Sequence, residues 1–389
     1  MHVLCVGAGL EQLPSIITAQ KMGLKVVAVD KNHTAIGLKQ ADIGIAVDIA
    51  EEQQVIEVAR QYNVVAVIPA PIGRYLTTVG GVNDALNLKG ISSTAAEYCT
   101  DKVKFHSIAF SNGIRRPRQF FVGDRFMLHE AIQGFGFPCI IKPRFGSGSK
   151  GVFAILNPNE LDKTIQQFFE EPYDNIILEE FIEGNEVGFE GVVQDGNLIF
   201  HLFRDKKQTE LPFRKTFGSV TPARLPQSIE SEICWQVNKC IEVIGLKDCL
   251  INADIIVNQQ TKKSTILEIT GRPAGTFIAS EMIPLATDFE FLETGIKIAL
   301  GFPVEIRKNT EVKPTAMRLL YDDIKRLPKK TEDLVRKKFP GLLRFSTGGE
   351  YDIDVTPIKY MITTGASIDE ALLESKKVYN YIRESGDEG

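Results

Sequence analysis

The chain has 389 residues, 43% hydrophobic and 24% charged, with a formal net charge of -5. One core stops growing near roughly 250–300 residues, so two or three domains are expected. The mild acidic balance argues against general nucleic-acid binding, which usually shows a basic domain, and leaves room for a local basic pocket.

The first elements alternate. His2–Val6 is a short apolar run closed by Gly7-Ala8-Gly9. Helical spacing follows over 13–22, a second strand over 25–29 ends at Asp30, and strands at 46–48 and 64–69 flank a helix at 51–62. Strands alternating with helices predict right-handed crossovers and a parallel sheet. Residues 1–97 therefore read as a doubly wound α/β domain. Beyond Thr100 the pattern becomes α+β, with strands expected at 137–142, 176–181, 186–193, 198–203, 249–257 and 264–269. Asp195-Gly196 is a hairpin signal between two of these strands. Helices are expected at 158–169 and 289–300, and an amphipathic one at 368–383. The charged stretch 321–338 reads as a solvated connector and helix face.

No apolar stretch approaches the ~20 residues needed to span a bilayer, and the N-terminus enters a strand without the marks of a signal peptide. The cysteines, Cys5, Cys99, Cys139, Cys234, Cys240 and Cys249, form no CxxC pair. With five histidines in the chain, a zinc site is not expected. These features predict a cytoplasmic protein without membrane or nucleic-acid partners.

Four motifs carry chemistry. Gly7-Ala8-Gly9 has two glycines of a dinucleotide fingerprint but Gln12 where the third belongs, so the strand-to-helix turn alone accounts for it. In the second motif a strand delivers Lys142 to its end, and Gly146-Ser147-Gly148-Ser149-Lys150-Gly151 follows. Glycines let backbone N–H groups converge on phosphate oxygens, and Lys142 adds a point charge. Arg144 is a second cation at the base of that loop; an ordinary flexible hairpin is the plain alternative. In the third, the run ending in Glu179-Glu180-Phe181-Ile182 restarts at Glu186, so its backbone could meet an adenine edge and a carboxylate a ribose, or it is a charged loop. In the fourth, Asp254 and Glu268 sit on neighbouring strands within apolar runs, a hard-oxygen pair suited to magnesium. Arg272 lies just beyond them, where a guanidinium could clamp a phosphoryl group.

Together, in this order, the motifs resemble the ATP-grasp superfamily, in the branch of biotin carboxylase, the purine-pathway carboxylate ligases and the amino-acid ligases. The resemblance covers nearly the whole chain. It implies a pre-ATP-grasp α/β domain at 1–97, an ATP-grasp body of two α+β subdomains at 98–305, with a mobile subdomain near 115–185, and a small α+β domain at 306–389. Thr100-Asp101-Lys102 resembles the family's DK element, whose lysine contacts the nucleotide phosphates. Lys142 and Gly146–Gly151 resemble its second phosphate lysine and glycine-rich loop, with Ser147 and Ser149 among the contacts. Glu179, Glu180, Phe181 and Ile182 resemble the adenine hinge, with the Glu180 and Ile182 backbone meeting the base; Glu186 falls at the ribose position. Asp254 and Glu268 resemble the metal-binding acids, Arg272 resembles the arginine that follows them, and Lys215 lies in a stretch that resembles one facing the acceptor side of the cleft.

One departure stands out: the family's E-x-N asparagine, also a metal ligand, is Thr270 here. The implied activity is an ATP-dependent carboxylate–amine ligase working through an acyl phosphate, with magnesium or manganese, small carboxylate and amine substrates, and a homodimeric assembly. Alternatives are a bicarbonate-dependent carboxylase, a purine-biosynthesis ligase, and a nucleotide-binding regulator without turnover, which Thr270 favours.

Overall fold

The computed structural model describes residues 1–122, 127–146, 148, 150–170, 175–211, 215–306, 311–320, 329–346 and 359–386. Strands β1 (His2–Val6), β2 (Lys25–Asp30), β3 (Ile43–Ala46) and β4 (Val64–Val67) form a parallel sheet in the order β3-β2-β1-β4. The strands read as continuous apolar runs because both faces are covered. Val3 and Cys5 pack into one core, while Leu4 and Val6 pack into another on the opposite face.

The third strand lies earlier than the expected 46–48. Its partner β2 ends at Asp30, which registers with Ala46. After the Val47 N–H to Asp30 carbonyl bond the chain turns, and Asp48 accepts from the Ala50 N–H at 3.0 Å. A short side-chain acceptor two residues before its donor is a turn, not a strand.

A second sheet is antiparallel and has the order β5-β8-β6-β7, from β5 (Gln119–Val122), β6 (Cys139–Pro143), β7 (Phe153–Ile155) and β8 (Ile176–Glu180). Helices Leu128–Phe135 and Leu161–Phe168 close its own core, in which Phe168 is fully buried. The expected 137–142 strand begins only at Cys139, since Pro138 has no N–H to donate to a ladder.

The third sheet has eight strands: β9 (Asn185–Gln194), β10 (Asn197–Gln208), β11 (Thr216–Thr221), β12 (Cys249–Asn258), β13 (Lys263–Thr270), β14 (Thr315–Leu320), β15 (Leu342–Ser346) and β16 (Lys359–Thr364), ordered β13-β12-β9-β10-β11-β14-β16-β15. The β9–β10 hairpin turns through Asp195 (φ 50°) and Gly196 (φ 79°), two left-handed residues in succession, as a type I′ turn requires. The C-terminal unit is α+β as expected, with helix Ile368–Gly386 packed on it, yet among the described residues it has no sheet of its own. Its strands extend the central sheet through the β11–β14 pairing. Of the charged stretch 321–338, residues 321–328 lie outside the described ones and Lys329–Lys338 is a helix.

Phe189 on β9 is fully buried and meets Phe203 edge-on with ring centroids 5.3 Å apart. Phe189→Ala is expected to cost about 3–5 kcal/mol, the range for deleting a buried aromatic ring. Urea unfolding followed by fluorescence and by circular dichroism should show one shifted midpoint with both probes.

Candidate active site

One cavity of about 370 Å³ lies between the second and third sheets. Lys102, Lys142, Gly146, Gly148, Glu179, Glu180, Phe181, Ile182, Glu186, Lys215, Asp254, Glu268 and Arg272 all line it. Gly151 is not among its lining residues, and Ser147 and Ser149 lie outside the described ones.

The Asp101–Lys102 pair works through helix geometry. Asp101 caps helix Lys102–Ser111, accepting from the Val103 and Lys104 N–H groups at 3.0 and 3.3 Å. An aspartate cap satisfies donors that the first turn leaves orphaned. Arg144 donates from Nε to the same carboxylate at 2.8 Å. The cation expected at the base of the loop thus ties the helix to the loop and does not line the cavity. Lys102 Nζ reaches the Gly146 carbonyl at 3.1 Å. Burial pulls its ammonium below the ordinary lysine value, Glu268 opposes this, and the Lys142 charge adds to it. Gly148 (φ 68°) and Gly151 (φ 71°) hold the left-handed region, which glycine enters without steric cost.

At the other side of the loop Lys142 Nζ meets Glu179 Oε2 at 2.6 Å. Burial pushes the Glu179 carboxyl up, but Lys142 and His106 outweigh it and hold it below the usual range. Glu179 is only 3% exposed. The hinge residue Glu180 gives its N–H to the Arg118 carbonyl at 2.9 Å, so that N–H is already spent within the protein.

The floor is more heavily charged than the sequence suggested. Lys206 on β10 bridges Glu186 on β9 and Asp254 on β12, the second contact at 2.8 Å. Glu186, expected at a ribose, is therefore held by Lys206 and also accepts from Gln208. Burial lowers the Lys206 pKa, but Asp254 and Glu186 together raise it above the ordinary value. Beside them Arg204 Nε donates to the fully buried Glu190 at 3.1 Å, and Asn252 donates to the same oxygen at 2.8 Å. A Cβ on Gly188 would stand 2.4 Å from Arg204 Cζ, so the strand makes room for the guanidinium by having no side chain there.

Sequence reasoning missed Arg204 and Lys206. The available signal was their period of two with Gln208, which puts all three on one strand face continuing a buried run. Asp254 and Glu268 are register partners across β12 and β13, so both carboxylates project from one face. Among the described residues no group of three or more His, Cys, Asp or Glu could hold a metal alone. Two carboxylates with phosphate and water completing the shell are nonetheless what magnesium commonly takes, and both carboxylates open onto the cavity. The donor set fits that ion. Thr270 is buried, outside the lining, and registers with Asn252. Gly7 and Gly9 turn the first strand into its helix, with Gln12 filling the space beside them and Asp30 accepting from the Ala8 N–H at 2.8 Å.

Two sheets thus close on a lysine-lined cavity, and part of this architecture matches a known domain. Residues 135–281 match the ATP-grasp domain. The chain carries that domain over those residues. It is 25% identical over 207 residues to a D-alanine–D-alanine ligase of Phocaeicola vulgatus, covering 51% of this chain and 62% of that one. It is 23% identical over 183 residues to a formate-dependent phosphoribosylglycinamide formyltransferase of Methanocella arvoryzae, covering 46% and 43%. The matches thus span about half the length of these curated relatives. The crystal structure of an L-amino acid ligase from Bacillus licheniformis superposes with a TM-score of 0.80 at 19% identity, covering 97% of both chains. Among the described residues no helix is long and apolar enough to cross a membrane.

Two outcomes are expected from this geometry. Lys206→Met strands two half-buried carboxylates, and breaking such a cluster costs up to about 3–5 kcal/mol; thermal melting of the ligand-free protein should show the loss. His106 Nε2 lies 3.3 Å from Glu179 Oε1, and burial, opposed by Glu179 and aided by Lys142 and Arg116, pulls its pKa from near 6.5 to about 4. Between those values the unfolded chain binds the proton and the folded one does not. Stability should therefore fall by about 3 kcal/mol as pH drops from 6.5 to 4, and urea midpoints of His106→Asn should lose that share of the decline.

Proposed function

We propose that the protein is an ATP- and magnesium-dependent ligase that activates a carboxylate as an acyl phosphate and passes the acyl group to an amine. The observation that carries this reading is the convergence on one cavity of Lys102, Lys142 and the glycine-rich loop with Asp254 and Glu268. Two of the similar proteins named above are amino-acid ligases.

In this reading ATP lies between the two sheets. Ile140, Phe181, Ile182 and Leu267 offer the apolar surfaces that an adenine needs. The Glu180 carbonyl and the Ile182 backbone meet its edge, and Glu186 lies towards the ribose. Lys102, Lys142 and the 146–151 loop, with Ser147 and Ser149, hold the phosphates. Asp254 and Glu268 hold magnesium, or manganese, which neutralises phosphate charge when bound.

The substrate carboxylate oxygen attacks the γ-phosphorus, and the bond from that phosphorus to the ADP oxygen breaks. Positioning and charge neutralisation supply most of the catalysis, and Arg272 and Lys215 face the transferring group. The amine nitrogen then attacks the acyl carbon, the carbon–oxygen bond to phosphate breaks, and the nitrogen sheds a proton to solvent. Products are ADP, phosphate and an amide. The 146–151 loop shields the acyl phosphate from water, and Lys102, bonded to its Gly146 carbonyl, couples loop position to phosphate binding. Both substrates are small molecules, the active form is a homodimer, and the site of action is the cytoplasm.

A carboxylase using bicarbonate and a purine-pathway ligase share this cavity plan and differ in the acid consumed. A regulator without turnover would bind ATP and release no phosphate. Incubation with ATP, magnesium and pooled acids and amines should release phosphate only when a matching acid and amine are both present. Glu268→Gln removes one charged ligand and should lower that rate by about 10- to 100-fold with an unchanged melting profile. ATP binding with no phosphate release from any pool would favour the regulator, and bicarbonate alone sufficing would favour the carboxylase.

A further inference from the structure

The cavity has a second end whose chemistry differs from the nucleotide half. Ala274, Ile278, Met317 and Leu319 line it as an aliphatic wall. Met317 and Leu319 lie two apart on β14, so they share a face, and Met317 registers with the cavity-lining Ser219 across β11–β14. Both are outside the matched domain, which ends at residue 281.

This wall is held rigidly. Thr276 (φ 51°) and Phe277 (φ 60°) are successive non-glycine residues in the left-handed region, rare for a β-branched or bulky side chain. Such a corner persists only where its surroundings impose it. Glu11, from the loop after β1, accepts from the Thr276 N–H at 2.7 Å. Phe277 stacks on Tyr360 of β16 with ring centroids 4.6 Å apart, and the Tyr360 hydroxyl donates to Glu281 at 2.7 Å. The N-terminal domain and the C-terminal strands thus fix the wall from both sides.

Charge is partitioned along the cavity. Its lining acids are Glu179, Glu180, Glu186, Asp254 and Glu268, on β8, β9, β12 and β13. Among the described residues none lines it from β11, from β14 or from 271–278. The cations at this end are Arg272, Lys215 and Arg204, whose Nη1 donates to Ser219 Oγ at 3.1 Å.

We propose that this end selects the acid to be activated, and that the acid carries an aliphatic side chain read by Met317 and Leu319, with Ile278 and Ala274 beneath it. Its carboxylate faces Arg272 and Lys215. The inference rests on the ligase reading and narrows it. A bicarbonate ion has no side chain to lay against half-buried Leu319 and the cavity-facing edges of the otherwise buried Met317, Ile278 and Ala274, and a sugar phosphate would leave its hydroxyls unpaired against them, which is costly.

Hydroxylamine replaces the unknown amine in the test, trapping an acyl phosphate as a hydroxamate. The wild-type protein is incubated with ATP, magnesium, hydroxylamine and one acid: glycine, L-alanine, L-leucine, L-phenylalanine, L-serine, L-glutamate or a carboxylated sugar phosphate. The inference expects L-leucine to exceed L-serine and L-glutamate by at least about tenfold, the scale at which an apolar pocket discriminates. Leu319→Ala and Met317→Ala should each move the L-phenylalanine to L-leucine ratio upward by about tenfold. Ratios between acids cancel a general loss from destabilisation, and half-buried Leu319 is the safer of the two sites. Hydroxamate from L-glutamate or the sugar phosphate in preference to L-leucine, or an unmoved ratio in both variants, overturns this inference and leaves the ligase reading standing. No hydroxamate from any acid removes the ligase reading, and this inference with it.

Discussion

A largely enclosed ammonium shared by two carboxylates sets the floor of the cavity. Lys206 joins Glu186 and Asp254, and in doing so ties β10, β9 and β12 together at the point where the cavity opens. Carboxylates this enclosed are costly without a partner, so the cation makes their position tenable. The parallel arrangement beside it, Arg204 on Glu190, occupies the same face of the same strand. With both cations in place Asp254 keeps its orientation next to Glu268, and the pair stays open on the cavity side. Removing Lys206 would free Asp254 to turn, or favour its protonated form.

The rest of the cavity follows from how the sheets are shared. The smaller sheet brings Lys142 and Glu179 on adjacent antiparallel strands, and the capped helix Lys102–Ser111 brings its first residue to the same loop. The central sheet brings the acids. Its far strands, contributed by the C-terminal region, bring the aliphatic wall. Each half alone would present only part of this lining, which is why the nucleotide-type features and the aliphatic features come from different stretches of the chain.

Much of this was legible in the sequence where the signal was local. The β1 run, the Asp195-Gly196 hairpin, the strand ending at Lys142 and the paired strands at Asp254 and Glu268 each carry their own period and turn residues. What was hidden depends on pairing. Strand β3 was misplaced because its limits are set by where β2 ends, not by its own composition. The pairing of the C-terminal unit with β11 is hidden because nothing in 315–320 announces it. Lys206 was passed over because a lysine in a charged run normally reads as solvated, and its burial depends on two carboxylates distant in sequence. The bonds from Lys206 and Gln208 to Glu186 are hidden for the same reason.

The central claim is that a carboxylate oxygen bonds to phosphorus before the amine reacts. It is tested most directly by turning over an acid labelled with oxygen-18 in its carboxylate and analysing the released phosphate by mass spectrometry. The account predicts one labelled oxygen in each phosphate, because the bridging oxygen of the acyl phosphate leaves with phosphorus when the amine displaces it. Phosphate carrying no label, with ATP consumed, would mean that water attacks the γ-phosphorus and that the acid is not activated in this cavity.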